Sequence, residues 1–173
     1  MSYHIYTTPS IVLRERPQKE ADRIYTILTR DLGLIRASAS GVRKEVSKLR
    51  SALEPYSLSQ VSLVRGREYW RITSAVLENN LYTTFKNSKG LKPLLKVFIL
   101  LEKLIGGESP NQDLFDSVRR AVRHYDPEDN MFEPQLVAEI LFHLGYLEKS
   151  DLAFEKKFLI KAINKGIEAS GLA

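Results

Sequence analysis

The chain is 173 residues long, with 43% hydrophobic and 27% charged side chains, a size and balance that fit one mid-sized domain or two small ones and exclude wholesale disorder. It has no cysteine, which excludes disulfides, thiolate metal sites, iron-sulfur clusters and a thiol nucleophile. Its longest uninterrupted apolar run, Val97 to Leu101, is far short of the ~18 residues that cross a bilayer, and Met1-Ser2-Tyr3-His4 lacks the basic-then-apolar start of a signal peptide, so a cytoplasmic protein without membrane contact is expected.

The formal charge of +5 is unevenly spread. Residues 1 to 80 hold 13 basic and 8 acidic side chains, whereas residues 81 to 173 hold 13 of each. Between positions 31 and 50, Arg36, Arg43, Lys44, Lys48 and Arg50 face only Asp31 and Glu45. The front half is therefore the candidate surface for a polyanion.

That half also has the period of strands. Ile11 to Arg16 is the first, and Ile24 to Thr29, rich in β-branched residues, is the second. Asp31-Leu32-Gly33 makes a turn into a third, where Leu34, Arg36 and Ser38 alternate with Ile35, Ala37 and Ala39, giving one polar, basic face and one small, apolar face. A basic connection closed by Pro55 leads to Ser57 to Val64, in which Val61 and Leu63 oppose Gln60 and Ser62. Arg65-Gly66-Arg67 is the next turn; Trp70, Ile72 and Val76 then share a face of a fifth strand, with Arg71 and Thr73 on the other. Five short strands make a poor open sheet with two exposed edges, and closing them into a small OB-like barrel removes both. The gap from Val42 to Glu54, where such a barrel carries a short helix or long loop, is also the most basic stretch.

Beyond Leu81 the period becomes helical. Leu91, Leu94, Leu95, Phe98, Leu101, Leu104 and Ile105 recur at i, i+3, i+4, i+7 spacing, so the spacing predicts a helix over 91–105 that Gly106-Gly107 stops, with Pro93 tolerated in its first turn. Leu114, Phe115, Val118, Ala121 and Val122 define a second helix ending near Tyr125 before Asp126-Pro127. Leu136, Val137, Ile140, Leu141 and Leu144 define a third that ends at Gly145, and Phe158, Leu159, Ala162 and Ile163 a fourth, with Leu152 near its start. Four apolar stripes need a common core. The expected fold is α+β, a five-stranded OB-fold barrel over 1–80 followed by a compact α-helical bundle domain over 81–173 that packs on it.

Catalytic patterns are missing. His4, His124 and His143 have no partner at metal-ligand spacing, and His143 reads as a surface or core-edge residue. Asp126, Glu128, Asp129 and Glu133 lack the glycine and terminal bidentate glutamate of a calcium loop and read as a solvated turn with N-capping acids. No phosphate-binding glycine loop, Gly-x-Ser-x-Gly elbow or His-Glu-x-x-His helix occurs. The expectation is a non-enzymatic protein with no catalytic residue, no metal and no cofactor.

What remains is a basic barrel carrying Arg14, Arg16, Arg23, Arg36, Arg65, Arg67 and Arg71 on its strands and turns, with Tyr25, Tyr56, Tyr69 and Trp70 among them. OB barrels hold single strands through a positive groove along the phosphates and aromatic faces that stack on bases. Trp70, in phase with Ile72, is expected in the core. An alternative is a protein-interaction adapter whose basic patch docks an acidic partner, and an RNA-binding barrel is a lesser variant.

Four blocks in order carry a resemblance: Ile11-Val12-Leu13-Arg14, Glu20-Ala21-Asp22-Arg23-Ile24, Leu28-Thr29 with Gly33-Leu34-Ile35-Arg36, and Ala39-Ser40-Gly41-Val42-Arg43-Lys44. The chain resembles the bacterial DNA repair and recombination mediator family RecO, and the likeness continues through Leu53-Glu54-Pro55-Tyr56-Ser57, Arg65-Gly66-Arg67, Ile72-Thr73-Ser74-Ala75 and, thinly, Leu141-Phe142-His143-Leu144-Gly145-Tyr146. The resemblance implies an OB-fold joined to a helical domain that binds single- and double-stranded DNA, anneals complementary strands, and contacts RecR and the C-terminal tail of single-stranded DNA-binding protein, so assisting RecA loading indirectly. By position it assigns Arg14, Arg36, Arg43 and Lys44 to DNA; Lys48, Arg50, Arg65 and Arg67 join them by proximity. Many relatives carry a four-cysteine zinc module after the Leu-Gly-Tyr helix, whereas here Glu148 to Phe154 contains no cysteine, so any partner contact made by that module is in doubt. Lys92, Lys96 and Lys103 are candidates to flank a docked acidic, apolar peptide tail, although lysines on a solvated helix face are the more ordinary reading. Glu20 and Asp22 are expected to order the turn between the first two strands or to pair with Arg23.

Overall fold

The structure, a computed structural model, describes residues 4–18, 22–40, 49–153 and 155–172. Five strands, β1 (Tyr6–Pro17), β2 (Arg23–Thr29), β3 (Gly33–Ala39), β4 (Ser57–Val64) and β5 (Trp70–Asn80), close into a barrel of order β1-β2-β3-β5-β4, all neighbours antiparallel except β3 and β5. Closure leaves no unpaired edge, as an OB-fold requires. The first strand begins earlier than its apolar run, because Tyr6 to Ile11 pair with β4. A short 3-10 turn, Ser51–Leu53, lies between β3 and β4 and sends Leu53 into the barrel core.

Alternation decides the interior. Tyr25 and Ile27 of β2, Ile35, Ala37 and Ala39 of β3, Val61 and Leu63 of β4 and Val12 of β1 point inward and are buried, each large aliphatic contributing about 1.5 to 3 kcal/mol. Trp70 and Ile72 join them, as their phase predicts. Val76 does not: it is 63% exposed. The register between β4 and β5 jumps between Ser62 opposite Ser74 and Leu63 opposite Ile72, so Thr73 is an extra residue and the parity of the side chains from Ser74 to Leu77 reverses, until a further shift at Glu78. Ala75 thereby takes the inward position and Val76 the outward one.

Buried hydroxyls within the barrel are satisfied locally. Ser10 Oγ donates to Ser59 O at 2.8 Å, Ser59 Oγ to Ala52 O at 2.6 Å, and Thr29 Oγ1 to Gly33 O at 2.9 Å. Tyr56, the residue after Pro55, holds a left-handed φ of 67° between two backbone bonds, donating to Val12 O at 2.7 Å and accepting from Leu81 N at 3.1 Å.

Two units divide the chain. One comprises Met1–Lys86 with Gly107–Pro110, so it includes the barrel, the short helix α1 (Leu81–Phe85) and a returning strap. The other comprises Asn87–Gly106 and Asn111–Ala173 and carries α2 (Leu91–Leu104), α3 (Gln112–Arg123), α4 (Phe132–His143) and α5 (Lys156–Ala169). Its centre is α4, which packs against α2, α3 and α5 and buries Phe132, Leu136, Val137, Ala138, Ile140 and Leu141. That breadth of apolar surface is what a helix with several helical neighbours needs. Asn111 caps α3, its Oδ1 accepting from Leu114 N at 3.0 Å. On α5 the buried line is Leu159, Ile163 and Gly166, and Phe158, one residue off that line, is 58% exposed rather than part of the core stripe. Leu152 sits in a separate 3-10 turn, Lys149–Ala153, ahead of α5. The acids before α4 order the turn, Asp126 Oδ1 accepting from Glu128 N at 2.9 Å and Asp129 Oδ1 from Met131 N at 2.8 Å, but they do not cap the helix as expected: α4 starts after Met131 with no side-chain cap. No helix among the described residues is long and apolar enough to cross a membrane.

Candidate nucleic-acid interface

The outer face of the barrel is set by a second irregularity. In β1, Val12 lies opposite Ile27 but Arg14 lies opposite Thr26, which leaves Leu13 as a bulge. With unbroken alternation Arg14 would face the core beside Tyr25; the extra residue turns it outward. Thr26 is in turn opposite Arg36 of β3, so Arg14, Thr26 and Arg36 form one row across three strands, with the two arginine Cα atoms about 10 Å apart. The next row is longer. Arg16 lies opposite Ile24, Ile24 opposite Ser38, Ser38 opposite Arg71 and Arg71 opposite Val64, spanning all five strands. Arg14, Arg16, Arg36 and Arg71 are all exposed. Among the described residues, Arg16, Arg36 and Arg71 have no ion-pair partner.

Of the eight positions expected to bind DNA, the fold therefore places Arg14 and Arg36 in one row. Arg65 and Arg67 stand in the exposed loop after Val64, at the end of the second row. Arg50 is exposed at the start of the 3-10 turn, and no strand pairing ties it to either row. Arg43, Lys44 and Lys48 lie outside the described residues, as does Glu20. Asp22 is half-buried, and its carbonyl accepts from Gln18 N at 3.1 Å across the β1–β2 connection. Arg16 and Arg71 complete the face without having been assigned to it; the signal for Arg71 was in the sequence, because it alternates with inward Trp70.

At the loop end of this face, Arg65 Nη1 meets Glu108 Oε2 at 2.5 Å, and the Trp70 Nε1–H donates to Glu108 Oε1 at 3.2 Å. The Arg65 guanidinium also lies over the Trp70 ring, 4.8 Å from its centroid. Trp70 is 5% exposed, with Tyr6 edge-on at 5.3 Å, so it supports the rim from below and its ring is not an open stacking platform. Glu108 belongs to the strap Gly107–Pro110, and nothing in the sequence pattern connects it to the barrel.

Tyr25, under the two rows, is 1% exposed. Burial, then Glu15 opposite it, push its hydroxyl up to about 12, while Arg23 pulls the other way. An unfolded tyrosine ionises near 10, so the folded state keeps its proton longer and this group's stabilisation, intact below pH 10, is lost as pH rises through 12. Urea midpoints of Tyr25→Phe and the native chain should therefore shift in favour of Phe between pH 10 and 12. A constant difference across that window would mean that the hydroxyl titrates as in solvent.

Residues 1–81 match the family model described as recombination protein O N terminal. A DNA repair protein RecO of Synechococcus sp. (strain JA-2-3B'a(2-13)) is 34% identical over 151 residues, which cover 83% of this chain and 52% of that protein. Residues 1–81 belong to the family of RecO N-terminal domains. Similar too are the DNA repair protein RecO of Desulforamulus reducens, 32% identical over 118 residues (68% of this chain, 46% of the relative), and that of Heliobacterium modesticaldum, 42% identical over 71 residues (41% of this chain, 26% of the relative). The chain spans about half the length of the first of these RecO proteins, and less of the others. The rows of arginine on β1, β2, β3 and β5 all lie within the segment that the RecO family model matches.

Proposed function

We propose that this chain is a DNA-binding recombination mediator in DNA repair, acting in the cytoplasm without catalysis. The observation that carries the reading is the double row of exposed arginines on the outer face of an OB barrel. Annealing needs no bond-making residue. Arginines that neutralise phosphates on two strands lower their mutual repulsion, and contacts confined to the backbone leave base edges free to pair. RecR, the single-stranded DNA-binding protein tail and, indirectly, RecA are the partners this role requires.

For the apolar part of such a tail the helical unit offers a groove of about 510 Å³ lined by Pro93, Leu100, Val137, Ile160, Ile163 and Ile167; its charged lining is Lys156 together with Asp129 and Glu133, so an acidic group has Lys156 alone to meet. Lys92, Lys96 and Lys103 are not among its lining residues, and Lys96 is 3.8 Å from Glu133. The Lys156 ammonium donates to Asn130 O at 3.2 Å.

The decisive test is binding and annealing of complementary oligonucleotides, one bare and one coated with single-stranded DNA-binding protein, across a salt series. Annealing above the spontaneous rate is expected, with affinity for single strands falling steeply as salt rises. Absence of a gel shift at low salt, together with capture of acidic protein partners from nuclease-treated lysate, would replace this reading with that of an adapter.

A further inference from the structure

The basic rim contains its own carboxylate. Glu108 uses both oxygens, one on the Arg65 guanidinium and one on the Trp70 indole N–H, and the guanidinium lies over the indole ring. Two donors of different elements thus converge on a single planar oxyanion. The backbone around Glu108 is pinned separately. Leu34 N donates to Gly107 O at 3.0 Å, and the strap approaches β3 so closely that a Cβ at Gly33 would meet Ser109 backbone atoms at 2.6 to 2.7 Å. The carboxylate itself is not locked in: the side chains of Arg65 and Glu108 are 60% and 45% exposed. Release of the Glu108 side chain therefore requires no movement of the strap.

From this geometry we propose that Arg65 and the Trp70 N–H form an oxyanion seat, filled by Glu108 in the free protein, that takes a backbone phosphate when a polynucleotide lies along the arginine rows. The inference rests on the DNA-binding reading. The seat adjoins the track directly, since Arg71, next to Trp70, is the β5 member of the longer row. A backbone phosphodiester carries the same single negative charge as the carboxylate it displaces and likewise offers two acceptor oxygens, and it arrives tethered to a strand already held by Arg36 and Arg71. Glu108 thus sets a threshold: isolated anions compete with a carboxylate held on the same unit, whereas a polyanion wins through its other contacts.

Glu108→Gln tests the seat. The amide oxygen preserves an acceptor for Trp70 while removing the charge, so folding is retained; thermal unfolding checks this. Single-strand affinity should rise about three- to fivefold at low salt, because the phosphate no longer has to displace a carboxylate, and the gain should shrink as salt rises. Arg65→Ala should weaken single-strand binding in the native background, where Glu108 partly offsets its contribution, by less than in the Glu108→Gln background, where it should also cancel the gain. Trp70 is the only tryptophan, so its emission reports the seat directly: saturating oligonucleotide should shift it in the native chain toward the value of free Glu108→Gln. Unchanged or weaker binding by a stably folded Glu108→Gln variant, or an additive double variant, overturns the seat while leaving the arginine rows in place. If the native chain binds no oligonucleotide at low salt, the DNA-binding reading falls first, and the seat with it.

Discussion

Replacing Arg16, Arg36 and Arg71 together by alanine should weaken binding to single-stranded DNA about 30- to 100-fold at roughly 0.1 M salt. Each exposed guanidinium on a phosphate is worth about 0.7 to 1 kcal/mol, or three- to fivefold, and a strand that follows the outer rows of the barrel meets all three. The slope of log affinity against log salt should fall by about 2, as three phosphate contacts are lost at ~0.7 each. The loss should be the same for every sequence, because backbone contacts carry no base information. Arg14 is left in place because it takes part in other interactions of the protein. The three variant positions are exposed, so stability should change by no more than ~0.5 kcal/mol. Arg50→Ala is the matched control, since the strand register does not put it in either row. If the triple variant binds normally and Arg50→Ala does not, the track runs over the 3-10 turn and not over this face.

The contrast between what the residues announced and what the fold added is instructive at β1 and β5. Plain alternation located β3 and β4 and their buried faces, because a period of two is all that an unbroken strand needs. Alternation failed wherever one residue was inserted. At Thr73 it put Val76 on the wrong side, and at Leu13 the same device is what brings Arg14 beside Arg36. A bulge leaves no mark in composition, since Leu13 and Thr73 are ordinary strand residues; it is fixed by the partner strand's register. The family resemblance named Arg14 and Arg36 together; the register that puts them in one row was not visible in it. Glu108 was out of reach for a different cause. It lies 38 residues from Trp70 in a loop between helices, and only the return of Gly107–Pro110 to the barrel makes the two neighbours.

That return depends on Gly33. Gly33→Ala should destabilise the chain by about 2 to 4 kcal/mol, read as a lower urea midpoint followed by Trp70 emission. Two costs combine. Gly33 has φ +74°, a conformation that costs an L-residue about 1 to 2 kcal/mol, and its Cβ would lie 2.6 to 2.7 Å from Ser109 backbone atoms, a contact that no side-chain rotation relieves. Relief requires the strap to lift, which sacrifices the bond from Leu34 N to Gly107 O, worth about 1 kcal/mol. Gly107→Ala separates the two costs: its φ of +67° is nearly the same, yet nothing lies within 4 Å of its Cβ, so only the conformational cost of about 1 to 2 kcal/mol applies. The difference between the variants measures the close approach itself. Lifting the strap also withdraws Glu108 from Arg65, so Gly33→Ala should move Trp70 emission in the folded state while Gly107→Ala leaves it where it was. Equal losses in the two variants, with identical emission, would mean that Gly107–Pro110 does not rest on the β2–β3 turn and that the carboxylate reaches Arg65 without this support.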